Sequence, residues 1–268
     1  MQSIETPVQL PVQRVTDSWT ALPSWMPVPG LGALPVNAFL LDGPETMLVD
    51  TGLAALSDAF IDRLARATDL ENLRWIWLSH TDADHIGNLG RVLDRAPNAQ
   101  VVTNFLGAGK MGMLGAADPS RLCLLNPGEV FEVGGRRLHQ VKPPYYDAPE
   151  TMGFFDESER VYFAADAFGA LLEGVAEELD AIPQASLRDG LVAWSSVDAP
   201  WLADMDRPTL GRMLDGLEKL APEHVLSGHL PVSNRLNTLT GIVRTAYGRG
   251  STDAAGPEIA RQVEAILA

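Results

Sequence analysis

Ser79-His80-Thr81-Asp82-Ala83-Asp84-His85-Ile86-Gly87-Asn88 places four metal-competent side chains, His80, Asp82, Asp84 and His85, within six residues. The stretch follows the apolar run Leu73-Arg74-Trp75-Ile76-Trp77-Leu78. A short strand there would deliver His80 to a sheet edge, and a tight loop before Gly87 would let the other donors converge. Imidazole nitrogen and carboxylate oxygen suit zinc, iron or manganese, and several carboxylates can hold two ions with one of them bridging. The competing reading is a solvated acidic loop with incidental histidines. The count weighs against it, since two of only five histidines in the chain sit here.

Upstream, the apolar runs Pro35–Asp42 and Thr46–Asp50 flank the turn signal Gly43-Pro44 and predict a hairpin ending at Asp50-Thr51-Gly52. Phe60, Ile61, Leu64 and Ala65 share one face of a predicted helix over 57–68, capped by Ser57. Helical spacing resumes after Asp84, and Gln100–Thr103 reads as a strand. Beyond the turn Asn126-Pro127-Gly128, alternation predicts strands at 129–133, 137–141, 152–155 and 160–166. Leu210, Met213, Leu214, Leu217 and Leu220 define an amphipathic helix ended by Pro222. Val225–Ser227 reads as a strand before Gly228-His229. Ile259, Val263, Ile266 and Leu267 predict a last helix within 254–268. The first 35 residues hold six prolines and predict short strands and irregular cover. No repeat or linker divides the chain, so one domain over 1–268 is expected. Strands in both halves with helices between them point to the α/β class: two sheets packed together, helices outside, functional groups where strands end.

The net charge is −15, from 35 acidic and 20 basic residues, which opposes binding to nucleic acid or an anionic membrane. No apolar run is long enough to span a bilayer and no basic-then-apolar leader begins the chain, so a cytoplasmic location is expected. Cys123 is the only cysteine, which excludes an intramolecular disulfide and any four-cysteine cluster; it is expected to be a small buried hydrophobe.

His80-Thr81-Asp82-Ala83-Asp84-His85, with Asp50-Thr51-Gly52 upstream, resembles the metallo-β-lactamase superfamily, whose motif is His-x-His-x-Asp-His. The resemblance runs from about Asn37 to His229. It implies an αβ/βα four-layer sandwich of two mixed sheets with outer helices and one or two metals at the sheet edges. Asp82 departs from the histidine of the hydrolases and is similar to the flavodiiron subfamily, where Glu stands at that position. Asp147-Ala148-Pro149-Glu150-Thr151-Met152, then Val161 to Asp166-Ala167-Phe168-Gly169, resembles the flavodiiron pattern His-Trp-Pro-Asp-(Ser/Thr)-Met followed by a strand and Asp-Ala-Phe-Gly. Asp147 thus replaces a histidine. Gly228-His229 after a short strand is similar to the C-terminal ligand of the superfamily.

Carried over by position, the resemblance implies one ion on His80, Asp82, Asp147 and Asp166, and a second on Asp84, His85, Asp166 and His229. Four Asp and three His form a hard donor set, so two metal ions are expected, with iron favoured over zinc or manganese. Asp50 would orient a histidine or the motif loop rather than ligate, or equally would serve only to stabilise its turn. Tyr145 and Tyr146 are candidates for lining the pocket or donating to a metal-bound oxygen, with ordinary packing favoured. His139 is a strand-surface residue or the replacement for the missing imidazole, with the surface role favoured. The loop Val192–Pro208, with Trp194 and Trp201, is expected to be a lid or an oligomer contact. The implied function is a di-iron protein that binds or reduces O2 or NO. No FMN domain is expected in this chain, so electrons would come from a separate donor; a homodimer is compatible. The alternative is a metal-dependent hydrolase of an ester, thioester, lactone or phosphodiester.

Overall fold

Residues 1–248 are described by the computed structural model, so the helix expected within 254–268 lies outside the described residues. One sheet of eight strands holds β1 (Val8–Gln9), β2 (Gln13–Arg14), β3 (Trp19–Val28), β4 (Gly32–Leu41), β5 (Thr46–Val49), β6 (Leu73–Trp77), β7 (Gln100–Thr103) and β8 (Leu122–Leu124). Its order is β1-β3-β4-β5-β6-β7-β8, with β2 also on β3. The β3-β4-β5 ladder is antiparallel and the β5-β6-β7-β8 ladder is parallel. Parallel neighbours need crossovers, which α1 (Ser57–Ala67), α2 (Leu89–Arg95) and α3 (Phe105–Leu114) supply. The second sheet has six strands: β9 (Val130–Val133), β10 (Arg136–Val141), β11 (Gly153–Asp156), β12 (Val161–Phe163), β13 (His224–Ser227) and β14 (Leu230–Ser233). Its one parallel pair, β12 with β13, encloses α4 (Gln184–Asp198) and α5 (Arg207–Leu220), and α6 (Leu236–Tyr247) follows β14.

Period-two alternation sorts the side chains into three apolar layers. Phe39, Leu41, Met47, Val49 and Trp77 from the first sheet meet Phe154, Val161, Phe163 and Leu226 from the second. Aromatic rings bridge this middle layer, with Phe39 edge-on to Phe163 at 5.9 Å and Trp77 edge-on to Phe154 at 5.0 Å. The alternate residues Leu40, Leu48 and Ile76 pack against α1, α2 and α3, with Phe60, Leu64 and Val92. On the opposite side Tyr162 and Val225 pack under Leu191, Leu214 and Leu239 of the other three helices. The result is the expected four-layer α/β arrangement, two mixed sheets between two layers of helices.

Three local expectations change. The proline-rich start is more regular than expected: β3 runs for 10 residues and pairs with β4 over its full length. Pro23 and Pro35 sit where no bond of the β3-β4 ladder is lost. Pro23 turns its carbonyl outward to Leu10 N, so its missing N–H also faces away from β4; Pro35 likewise turns its carbonyl away from β3, toward His229. The Val192–Pro208 segment is mostly helical rather than a loop, because Leu187, Gly190, Leu191 and Ser195 carry the buried face of α4 through it. Ser57 begins α1 after a short 3-10 turn rather than capping it, and its hydroxyl accepts from Arg91. No described helix is long and apolar enough to cross a membrane.

Asn37 ties the two sheets together beside the site. Its backbone N–H donates to Gly228 O at 2.9 Å, and its side-chain amide donates to Ser227 O at 2.9 Å and to Leu230 O at 2.7 Å. Asn37→Ala would strand two carbonyls, so a loss of about 2–4 kcal/mol in urea unfolding is expected; a change no larger than that of an ordinary surface substitution would contradict the role given to this amide.

Candidate metal centre

The motif loop is organised by Asp50, the residue after β5. Its backbone lies in the left-handed region, with φ 58°, a conformation Asp tolerates better than most residues. Its Oδ1 accepts from Ser79 N at 2.8 Å and its Oδ2 from Ser79 Oγ at 2.7 Å and from His85 Nδ1 at 2.9 Å. The Ser79 hydroxyl spends its one proton on Asp50, so its oxygen is left to accept from His80 Nδ1, at 2.9 Å. Thr51 clamps the far end of the loop, donating N–H and hydroxyl to His85 O, while Asn88 donates back to Thr51 O and Leu53 O. Gly87 is required by close approach: a Cβ there would lie 2.5 Å from Ala54 N and collide with Gly52 O.

The second sheet supplies the rest. β12 runs through Ala164 and Ala165 into Asp166, whose loop is held by the Phe168 N–H donating to Tyr145 Oη at 2.6 Å. β13 ends at Ser227, and Gly228 places His229 opposite Asp166, with Gly228 N donating to Ala165 O. Glycine at 228 leaves room there, where a Cβ would press at 3.0 Å on both Asp166 Oδ1 and His85 Cε1. The Asp147 segment is fastened to the motif loop by Met152 N donating to Ser79 O, and by Thr81 Oγ1 donating to the buried Glu150 carboxylate, which also pairs with Lys110.

All seven residues expected to be ligands converge. His80, His85 and Asp166 form one group, Asp84, His85 and His229 a second, and His80, Asp82 and Asp147 a third. Asp166 is the hub: its carboxylate lies 3.5 Å from His80 Nε2, 3.2 Å from His85 Nε2 and 3.3 Å from His229 Nε2. Asp84 Oδ2 is 3.6 Å from His85 Nε2 and 3.5 Å from His229 Nε2, and Asp147 Oδ2 is 3.7 Å from His80 Nε2.

The histidine tautomers follow from the partners on the other ring nitrogen. His80 Nδ1 faces Ser79, His85 Nδ1 faces Asp50, and His229 Nδ1 donates to Pro35 O at 2.8 Å. With Nδ1 protonated in each ring, all three Nε2 lone pairs aim at carboxylate oxygens. His80 Nε2, His85 Nε2 and Asp166 Oδ1 are buried with no hydrogen-bond partner. Acceptors turned on one another in a buried site are unfavourable until a cation, or a proton on each ring, stands between them. The donor set therefore fits metal ions. The same crowding governs the charges when no cation is present. Burial opposes ionisation of Asp166, yet His85, His229 and His80 together hold its carboxyl well below the usual range. Against the same burial, Asp166 and Asp84 hold His85 well above its usual value, and Asp166 pushes His229 up to about 9.

Two further side chains reach this site, Trp194, which the sequence reading placed only in a lid or oligomer-contact loop, and Asp198, which it did not single out. Trp194 and Asp198 lie one helical turn apart on α4. The Trp194 ring stands edge-on to His229 at 4.8 Å. Asp198 offers a carboxylate oxygen to the group formed with Asp147 and Asp166, and burial, followed by the Asp166 charge, pushes it up to about 8. The available signal is the i, i+4 spacing of small or apolar Leu187, Leu191 and Ser195, the buried face of a helix running into Asp198. Other candidates fall away. Tyr145 is fully buried in the outer core against Phe168 rather than lining the site. Tyr146 stacks between the Lys142 ammonium, at 3.8 Å, and the Trp201 ring, at 5.3 Å. His139 pairs with Glu157 on the sheet surface at 2.7 Å. Cys123 is only partly buried.

Comparison with known proteins matches residues 31–219 to the family described as the metallo-beta-lactamase superfamily. Among curated relatives, the putative diflavin flavoprotein A 1 of Thermosynechococcus vestitus is 31% identical over 135 residues, half of this chain and 24% of that protein. The chain thus spans about a quarter of that relative's length. Among solved structures, rubredoxin oxygen:oxidoreductase from Desulfovibrio gigas superposes with a TM-score of 0.76 at 19% identity, over 88% of this chain and 61% of that one. The flavodiiron protein from Giardia intestinalis gives 0.76 at 14% identity, over 89% of this chain and 60% of that one. At such identities the likeness is one of fold.

Asp50→Asn leaves one acceptor oxygen where Ser79 and His85 need two. Metal affinity measured by chelator competition is expected to fall about 10–100-fold with an unchanged far-UV circular dichroism spectrum; wild-type affinity would show that Asp50 does not orient the histidines.

Proposed function

The chain belongs to the metallo-β-lactamase superfamily, and from that premise we propose that it is a dinuclear iron protein that binds or reduces dioxygen, or its analogue nitric oxide. The observation that carries the reading is the Asp166 carboxylate facing three imidazole Nε2 atoms at 3.2–3.5 Å, with Asp84 and Asp147 beside them. On this reading His80, Asp82, Asp147 and Asp166 hold one ion, and Asp84, His85, Asp166 and His229 hold the other. Four carboxylates offset the four positive charges of two divalent ions. A donor set with more oxygen than nitrogen is harder than a histidine-rich zinc site, which favours iron.

Two irons held together would supply a shared binding position for a diatomic ligand and electrons for its reduction. The chain's own residues prepare that position. Ser79, Asp50 and Pro35 O hold each Nδ1–H, so that no imidazole has to rotate when the site is loaded and any proton released leaves from Nε2. Gly228 keeps open the space between Asp166 and His85, and Trp194 closes the flank of His229. Turnover would need a reductant, and a separate electron-donor protein is part of the proposal.

Anaerobic reconstitution with Fe(II), followed by metal analysis and oxygen consumption with a chemical reductant, tests the reading. Two irons per chain and reductant-dependent oxygen uptake are expected; two zincs in freshly purified protein, with ester or phosphodiester hydrolysis and no oxygen uptake, would replace it by the hydrolase. Asp166→Ala is expected to lose both ions together and His229→Ala chiefly one, as counted by metal analysis; full retention in Asp166→Ala would end the bridging role. Chelation should lower the melting temperature by about 5 °C or more, because four carboxylates are left without cations. An unchanged melting temperature after verified metal removal would count against the centre.

A further inference from the structure

We propose that Asp198, in the last turn of α4, is a direct ligand of the first metal ion and makes good the imidazole missing at Asp147. The inference rests on the dinuclear reading above and adds a residue to it.

Position carries the first part of the argument. The carboxylates of Asp147, Asp166 and Asp198 each offer an oxygen, and these lie within 4.8 Å of one another. Asp147 also belongs to the group with His80 and Asp82, whereas the group on the other side is Asp84, His85 and His229. Asp198 therefore stands on the flank of the first ion. Asp147 by itself is a poor substitute for an imidazole there. Its Oδ1 accepts from Ala148 N at 2.6 Å and from Thr151 Oγ1 at 3.4 Å, which leaves Oδ2 alone facing His80 Nε2. A carboxylate arriving from a separate element makes up the loss.

The state of the side chain carries the second part. Asp198 Oδ2 is buried with no hydrogen-bond partner, and so is Oδ1 of the fully buried Asp166 with which it is grouped. Two unsatisfied lone-pair donors from different elements, beside the Asp147 carboxylate, are what an ion between them would satisfy. The helix itself argues against a structural role. An acidic residue in the last turn opposes the helix macrodipole, so Asp198 sits where local electrostatics disfavour it. The helix is nevertheless rigidly aimed: Leu187 and Leu191 anchor it in the outer core, Gly190 packs on the Leu171 carbonyl, and Trp194 docks on His229. With Asp198 the donors number five carboxylates and three imidazoles. Five negative charges against two divalent ions favour holding one iron as the trivalent ion.

Asp198→Asn keeps size and shape and removes the charge. Wild type, Asp198→Asn and His85→Ala are titrated anaerobically with Fe(II) against a chromophoric chelator, with circular dichroism as the folding control and reductive titration of the loaded proteins as a second readout. Wild type is expected to take up two ions. Asp198→Asn should bind one of them at least tenfold more weakly, keep the other, and show a higher reduction potential. Two ions at wild-type affinity and an unchanged potential in Asp198→Asn would overturn the inference while leaving the dinuclear reading intact. Equal loss of both ions from a folded Asp198→Asn would overturn the assignment to one ion. No uptake by wild type, matched by His85→Ala, would mean that the dinuclear reading itself has failed.

Discussion

A buried carboxylate, Asp166, faces three imidazoles that come from both sheets, and the architecture around it serves to keep that convergence in place. His80 and His85 arrive from the loop after β6, His229 from the turn after β13, and Asp166 from the end of β12. None of these elements could hold such a cluster alone, because buried charges and unpaired acceptors cost more than a loop's own hydrogen bonds return. The cost is carried by the apolar layer between the sheets, where the rings of Trp19, Trp77, Phe39, Phe154 and Phe163 lock one sheet on the other.

The polar groups nearest the site then convert a rigid sandwich into an aimed one. Asn37 binds the first sheet to the turn that carries His229, and Met152 binds the Asp147 segment to Ser79. Asp50 serves two histidines, one directly and one through the Ser79 hydroxyl. Each imidazole consequently presents the same nitrogen inward. A site built this way is preorganised for cations, since the orientation of its donors is established by neighbours that do not themselves ligate.

Much of this was legible in the chain. The apolar runs Pro35–Asp42 and Thr46–Asp50 announced a hairpin, and in the fold their residues divide between two apolar layers. The histidine and aspartate spacing at 80–85 marked four donors, the family resemblance added Asp147, Asp166 and His229, and the fold brings these seven together. The errors have physical causes. Prolines 23, 27 and 35 read as breaks, because sequence does not say which way a strand turns its missing N–H; tertiary pairing places Pro23 and Pro35 with that gap away from the partner strand. Tyr145, two residues before Asp147, took the packing role that the sequence favoured and is buried against Phe168.

By itself, then, the sequence determined the local periodicities, the strand ends and the identity of the donors that sit on them, since these depend on residue type and short-range spacing. Tertiary structure decided what depends on distance between remote elements. It selected which Asp166 neighbours share the site, it assigned each histidine its Nδ1 partner, and it brought Trp194 and Asp198 of α4 to a cluster built by other strands. No spacing rule links residue 198 to residues 147 and 166. Their proximity arises only when the outer helix packs its Leu187–Leu191 face onto the second sheet and swings its last turn over the sheet edge.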